Sequence, residues 1–314
     1  MSLSDLIDRL GPQLPGETGL AKRLRFHQSW YRSEVLGISA FGSTPAPASR
    51  PLGSILPTAL TAEGYNFTTP LAKRLYEERR TQGWGVDPVR CTRYLTSSQA
   101  LTLNFLAPLF AEPGWLVRAL SFALDRSDIL DVEYAAVEYA PTQRSQFLGD
   151  MTRLDGFIIL RCSIGYEAVV LEFKYADRFN SRDIRIVDQP TYRALAAKTA
   201  IWTDFDGVAV DRGFNQLVRC HALGASMLER ATGSSRTTLV VIHHEKDTRA
   251  DQLLASYRAQ VRDPATAASF TLSKLCDHMA ATADRQQQRT VETLRARYAN
   301  EVGSQDWWQR FIGS

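Results

Sequence analysis

Three charged residues stand inside apolar stretches of the chain. One stretch reads Ala168-Val-Val-Leu-Glu172-Phe-Lys174-Tyr175, and the other reads Arg153-Leu-Asp155-Gly-Phe-Ile-Ile-Leu160. A charge taken into such surroundings must be paired, coordinate a metal or shift its pKa. Of the six lysines, Lys174 alone follows an acid at the spacing Glu-x-Lys. Two carboxylates and one ammonium brought to a single point would make a site able to bind a cation and to steady a developing negative charge.

Two extended runs joined by a short turn, Ser163-Ile-Gly165, are expected to form an antiparallel hairpin in which directly opposite residues share a face. Glu172 and Lys174, two apart on one strand, point the same way in any register. A loop at Ile164-Gly165 sets Asp155 opposite Lys174 and diagonal to Glu172. A loop at Ser163-Ile164 sets Asp155 directly opposite Glu172. A three-residue loop turns Asp155 toward Phe173, because a one-residue slip exchanges the two faces of a strand. The sequence leaves these registers open.

An Asp followed across a hairpin by Glu-x-Lys resembles the PD-(D/E)xK nuclease superfamily, over the stretch from about Ser97 to about His244. The resemblance implies a restriction-endonuclease-like α/β fold, a mixed sheet flanked by helices. It further implies that Asp155, Glu172 and the Phe173 carbonyl hold a divalent ion acting on the scissile phosphate, and that Lys174 positions the attacking water or stabilises the transition state. Hard oxygen ligands of this kind suit Mg2+ or Mn2+. Leu154 stands where the family name has proline, a departure many members share. Glu and Lys at i and i+2 also describe the solvated face of an ordinary strand, but the residues before Glu172 are apolar on both faces.

The remaining elements must position these three residues. Leu20–Leu36 reads as a helix carrying Lys22, Arg23, Arg25 and Arg32, and Leu71–Gln82 as a helix started by Thr69-Pro70. With Tyr65, Trp84 and Tyr94 nearby, these basic faces fit either a nucleic-acid surface or ordinary solvated helices. Ser97–Leu109 reads as a core helix on which Gln99 could assist the site, and Trp115–Leu124 as a second helix. Ile129–Tyr139 reads as the first strand, with Val132, Tyr134, Ala136 and Glu138 on one side. Glu138 and Asp150 are candidate further ligands, with solvent exposure the simpler expectation.

The polar stretch Asp177–Asp188 is expected to be a loop near substrate. A helix from Pro190 and a longer one over Gly213–Ala231 follow. On the longer helix Gln216-Leu-Val-Arg219-Cys220 resembles the Gln-x-x-x-Tyr element of the exonuclease branch, with Cys in place of Tyr, and Arg219 and His221 are candidates to reach phosphate. Thr237–His244 reads as a buried strand. His243 and His244 are adjacent on it, project to opposite faces and do not share a metal. Three amphipathic helices then lead to Trp307, Trp308 and Phe311, expected to pack back on the body.

The chain has 314 residues, 44% hydrophobic and 23% charged, with a net charge of +3. Residues 1–96 carry twelve basic and eight acidic groups, residues 97–177 six and eleven, and residues 178–314 nineteen and fifteen. An acidic centre between basic flanks suits a metal-dependent enzyme acting on a polyanion. No apolar run approaches the roughly twenty residues of a membrane span, and the start lacks a basic region followed by an apolar core, so a cytoplasmic protein is expected. The four cysteines lie apart, without Cys-x-x-Cys spacing, and are expected to be reduced.

The expectation is therefore a helical, basic region over 1–95, a nuclease-like core over 96–248 and C-terminal helices over 249–314. The expected function is a divalent-metal-dependent nuclease acting on DNA in preference to RNA, with Asp155, Glu172 and Lys174 catalytic and with a homodimer among the assemblies the resemblance allows. The competing expectation is a non-catalytic nucleic-acid-binding or interaction protein on the same scaffold.

Overall fold

The computed structural model describes residues 3–83, 85–176 and 184–313. Trp84 and most of the 177–188 loop therefore lie outside the described residues. Two compact units are present: residues 1–108, 175–177 and 284–314 form one, and residues 109–174 and 178–283 the other.

The second unit is built on a five-stranded mixed sheet in the order β1-β2-β3-β4-β5, comprising β1 (Ile129–Tyr139), β2 (Leu154–Cys162), β3 (Tyr166–Phe173), β4 (Thr237–His243) and β5 (Ala267–Thr271). The first three strands run antiparallel, whereas β3–β4 and β4–β5 are parallel. Parallel pairing is made where strands are buried on both faces, and every residue of β4 is buried. The fifth strand is not legible in the sequence. Its Ala-Ala-Ser-Phe-Thr is too short and too weakly patterned to stand out from the helix Leu272–Ala281 that follows it.

Register in the β2–β3 hairpin pairs Gly156 with Leu171 and Arg161 with Tyr166, so Ser163-Ile164 is the two-residue loop and Asp155 stands opposite Glu172. Gly165 closes the turn at φ +71°, a conformation glycine adopts without a Cβ penalty. Continuing the register outward, Val137 pairs with Gly156 and Tyr139 with Leu154, which sets Glu138 opposite Asp155. A register shift between Val132 and Tyr134 moves Val132 to the other face. Only Tyr134, Ala136 and Glu138 of the expected set share a side, because a bulge adds one residue to one strand.

The connection from β3 to β4 carries α1 (Pro190–Thr199) and α2 (Asn215–Thr232), the second of which packs across β3 and β4. Gly224 sets the closeness of that packing: a Cβ there would meet Val170 Cγ2 at 2.3 Å.

In the first unit the helix Gly19–Trp30 runs on into a π-helical turn, Tyr31–Val35. Arg23, Arg25 and Arg32 are engaged internally and do not form a solvated stripe. Arg32 is fully buried and donates to the carbonyls of Gly53, Ser39 and Ala40 at 2.8, 2.8 and 3.0 Å. Burial lowers its pKa to about 10, which leaves it a cation at neutral pH. Arg23 donates to Ser304, and Arg25 pairs with Glu17. The expected packing of the C-terminal aromatics holds, with Trp307, Trp308 and Phe311 lying against Leu6, Leu10 and Phe26.

Candidate active site

At the end of the hairpin the β2–β3 ladder stops at Gly156 and Leu171, while β2 stays paired with β1 as far as Leu154. The Asp155 carboxylate fills the gap so made. Its Oδ2 accepts the Phe173 backbone N–H at 2.7 Å. Beyond this point the chain of β3 continues against β4, with the Lys174 N–H donating to the Ile242 carbonyl at 2.8 Å. The fork between diverging strands thus holds the three residues singled out from sequence: Asp155 part-buried, Glu172 at 2% and Lys174 at 7% exposure.

Lys174 Nζ lies 2.8 Å from Glu172 Oε1. Gln216, in the first turn of α2, clips the pair together: its amide NH2 donates to Glu172 Oε1 at 2.6 Å and its amide oxygen accepts from Lys174 Nζ at 3.2 Å. Only this orientation of the amide satisfies an acceptor and a donor at once. One turn on, the Cys220 thiol approaches Glu172 Oε2 at 3.5 Å. The Gln-x-x-x-Cys element therefore reaches the site through both its residues, since positions i and i+4 share a helix face.

Electrostatics at the fork are unbalanced toward negative charge. Burial, then Glu172 and Glu138, raise the Asp155 carboxyl well above the ordinary carboxylate range, against a smaller opposing pull from Lys174. For Lys174, burial pushes the pKa down, but Glu172 and Asp155 outweigh it and the ammonium is held. Burial and the same two carboxylates push the Cys220 thiol well up, so it stays protonated and acts as a weak donor.

Glu138 is buried at 3% exposure, which corrects the expectation that it faces solvent. Its φ of +46° marks a left-handed kink in β1 beside Asp155. Asp150 is not at the fork. It is buried in a cross-link, taking Arg219 Nε at 2.7 Å and Nη2 at 2.5 Å, with the Tyr192 hydroxyl and the Thr152 N–H as further donors. Burial works against this carboxylate, but Arg219 and Tyr192 hold its pKa below the usual value.

The same contacts remove Arg219 from the candidates for phosphate. His221 is removed as well: it is fully buried between the Tyr257 hydroxyl and the Thr237 carbonyl, and burial lowers its pKa to about 4. Gln99 is engaged within its own unit, where its amide binds the Gly85 carbonyl and the Asp87 N–H. His243 and His244, read as strand-end residues, bond to Asp251 and to the Lys246 N–H.

A divalent ion fits this chemistry. Two carboxylates face each other across a strand pair, and the raised Asp155 carboxyl reports the negative charge that a cation would offset. Among the described residues no group of three or more His, Cys, Asp or Glu side chains is arranged to hold an ion. Asp155 and Glu172 would supply two carboxylates, a donor set compatible with an ion that keeps several waters and takes further oxygens from a phosphate.

The family model of the PD-(D/E)XK nuclease superfamily matches residues 15–300. The chain belongs to that superfamily. Its five-stranded mixed sheet with flanking helices is the restriction-endonuclease-like fold of these proteins. No curated protein and no solved structure gives a significant match.

Proposed function

We propose that this PD-(D/E)XK protein is a divalent-metal-dependent nuclease that hydrolyses phosphodiester bonds, in DNA in preference to RNA. The observation that carries the reading is the fork itself, where Lys174 Nζ lies 2.8 Å from Glu172 and Asp155 takes the Phe173 N–H between them at the end of the sheet. Asp155 and Glu172, with the Phe173 carbonyl, would hold Mg2+ or Mn2+, which when bound lowers the pKa of a water and neutralises charge on the phosphate. Lys174 supplies a fixed positive charge beside that position, able to orient the water or to stabilise the pentacoordinate phosphorus. Gln216 fixes the Lys174 ammonium and the Glu172 carboxylate in one geometry. A preorganised site needs that kind of support, because groups held loosely must reorganise during the reaction.

Cleavage of single-stranded DNA, duplex DNA and RNA with Mg2+, Mn2+ or EDTA, wild type beside Lys174→Ala, tests the proposal. Wild type should cut at least one DNA substrate with either metal and none in EDTA. Lys174→Ala should lose about a hundredfold or more in rate, the scale for removing one preorganised electrostatic contact. If both proteins bind DNA equally and neither cuts under any metal, the protein is a binding module on a nuclease scaffold.

A further inference from the structure

The sheet face that carries the fork continues into a groove of about 400 Å³. Its floor is aromatic. The Tyr139 ring stacks on Phe157 with centroids 5.4 Å apart and planes 14° apart, and Tyr134 meets Tyr139 edge-on at 5.7 Å. The left-handed turn at Glu138 explains why Tyr139 lies beside Phe157 rather than alternating to the opposite face. Ile159 completes the floor, and Phe147 and Arg230 form the opposing wall. The exposed Arg230 guanidinium lies over the Phe147 ring at 5.3 Å.

Three features point to one kind of occupant. Tyr134 is 40% exposed, a large aromatic surface packed against the Tyr139 and Phe157 rings. One wall is cationic: Arg230 lines the groove, its guanidinium held over Phe147 and donating to the Gln146 carbonyl at 3.0 Å. Continuity supplies the third. Asp155, Phe157 and Ile159 alternate onto one face of β2, so the groove starts about 7 Å from the fork and reaches to about 13 Å, a span of one or two nucleotides.

We propose that this groove is a stacking subsite for an unpaired base of single-stranded nucleic acid, with the Tyr134 ring as the platform, Tyr139 backing it edge-on, and Arg230 as the cation. The proposal rests on the nuclease reading and narrows its substrate class, because bases stacked within a duplex cannot lie on a protein ring. Aromatic stacking tolerates any base, so the subsite selects strand state rather than sequence.

The test is binding by the full-length protein in EDTA, where no hydrolysis is required, with a fluorescein-labelled oligothymidylate and a duplex of equal length as probes. Tyr134→Ala should weaken single-strand binding roughly tenfold, within the range for losing one stacked base, and leave duplex binding unchanged. Tyr134→Phe should restore it, since the ring and not the hydroxyl carries the contact. Equal single-strand affinity in wild type and Tyr134→Ala, or equal losses on both probes, overturns the proposal. Stacking without cleavage would remove the nuclease reading alone, whereas metal-dependent cleavage of single strands at the wild-type rate by Tyr134→Ala would remove the stacking subsite alone.

Discussion

Asp155→Asn is expected to remove nuclease activity while making the metal-free protein more stable. The two effects share one cause. The Asp155 carboxyl is raised by burial and by two neighbouring carboxylates, so the folded protein binds this proton more tightly than the unfolded chain does. Stability from that difference is present in full below the unfolded pKa, near 4, and is lost as pH climbs toward the raised folded value. Asparagine keeps an oxygen for the Phe173 N–H and carries no charge, so it removes this pH dependence and should add about 1 kcal/mol at neutral pH, in the range seen when a functional residue is traded for stability. Activity should fall by more than about a hundredfold, beyond the loss that follows from changing a residue that only supports a metal ligand. Thermal melts at pH 4 and pH 7 without metal, beside cleavage rates, read both effects. A variant less stable than wild type at neutral pH would show that the carboxylate is held by attraction instead.

Glu172→Ala should do the reverse to stability. Lys174 is 7% exposed and its Nζ lies 2.8 Å from Glu172. Removing one partner of a buried pair leaves an uncompensated charge, which costs about 3–5 kcal/mol. Denaturant unfolding should show a loss of that size, and Lys174→Met on the same background should recover most of it by removing the stranded ammonium. A loss below about 1 kcal/mol, or no recovery in the double variant, would mean that Gln216 and Asp155 satisfy Lys174 without Glu172.

The parts of this site legible from sequence are those fixed by strand periodicity. Glu-x-Lys points to one face whatever the register, and a two-residue loop at Ser163-Ile164 was among the hairpins the sequence allowed. Choosing it required the sheet, because the apolar run on both strands gives equal burial in neighbouring registers. Gln216 and Cys220 were visible as an i, i+4 pair but had no partner in the linear chain, and only the packing of α2 across β3 brings them to Glu172. Arg23, Arg32 and Arg219 read as solvated or phosphate-facing cations and prove buried, because their partners are carbonyls or acids distant in sequence. The aromatic groove depends on a bulge and on a left-handed residue in β1, neither of which strand alternation reveals.

Titration of Mn2+ into the metal-free protein, followed by calorimetry, bears most directly on the claim that two carboxylates at a strand fork seat a dication. Wild type should bind the ion, and Asp155→Asn, although folded and at least as stable, should not. Failure of wild type to bind Mn2+ at millimolar concentration, or equal binding by the two proteins, would contradict the claim.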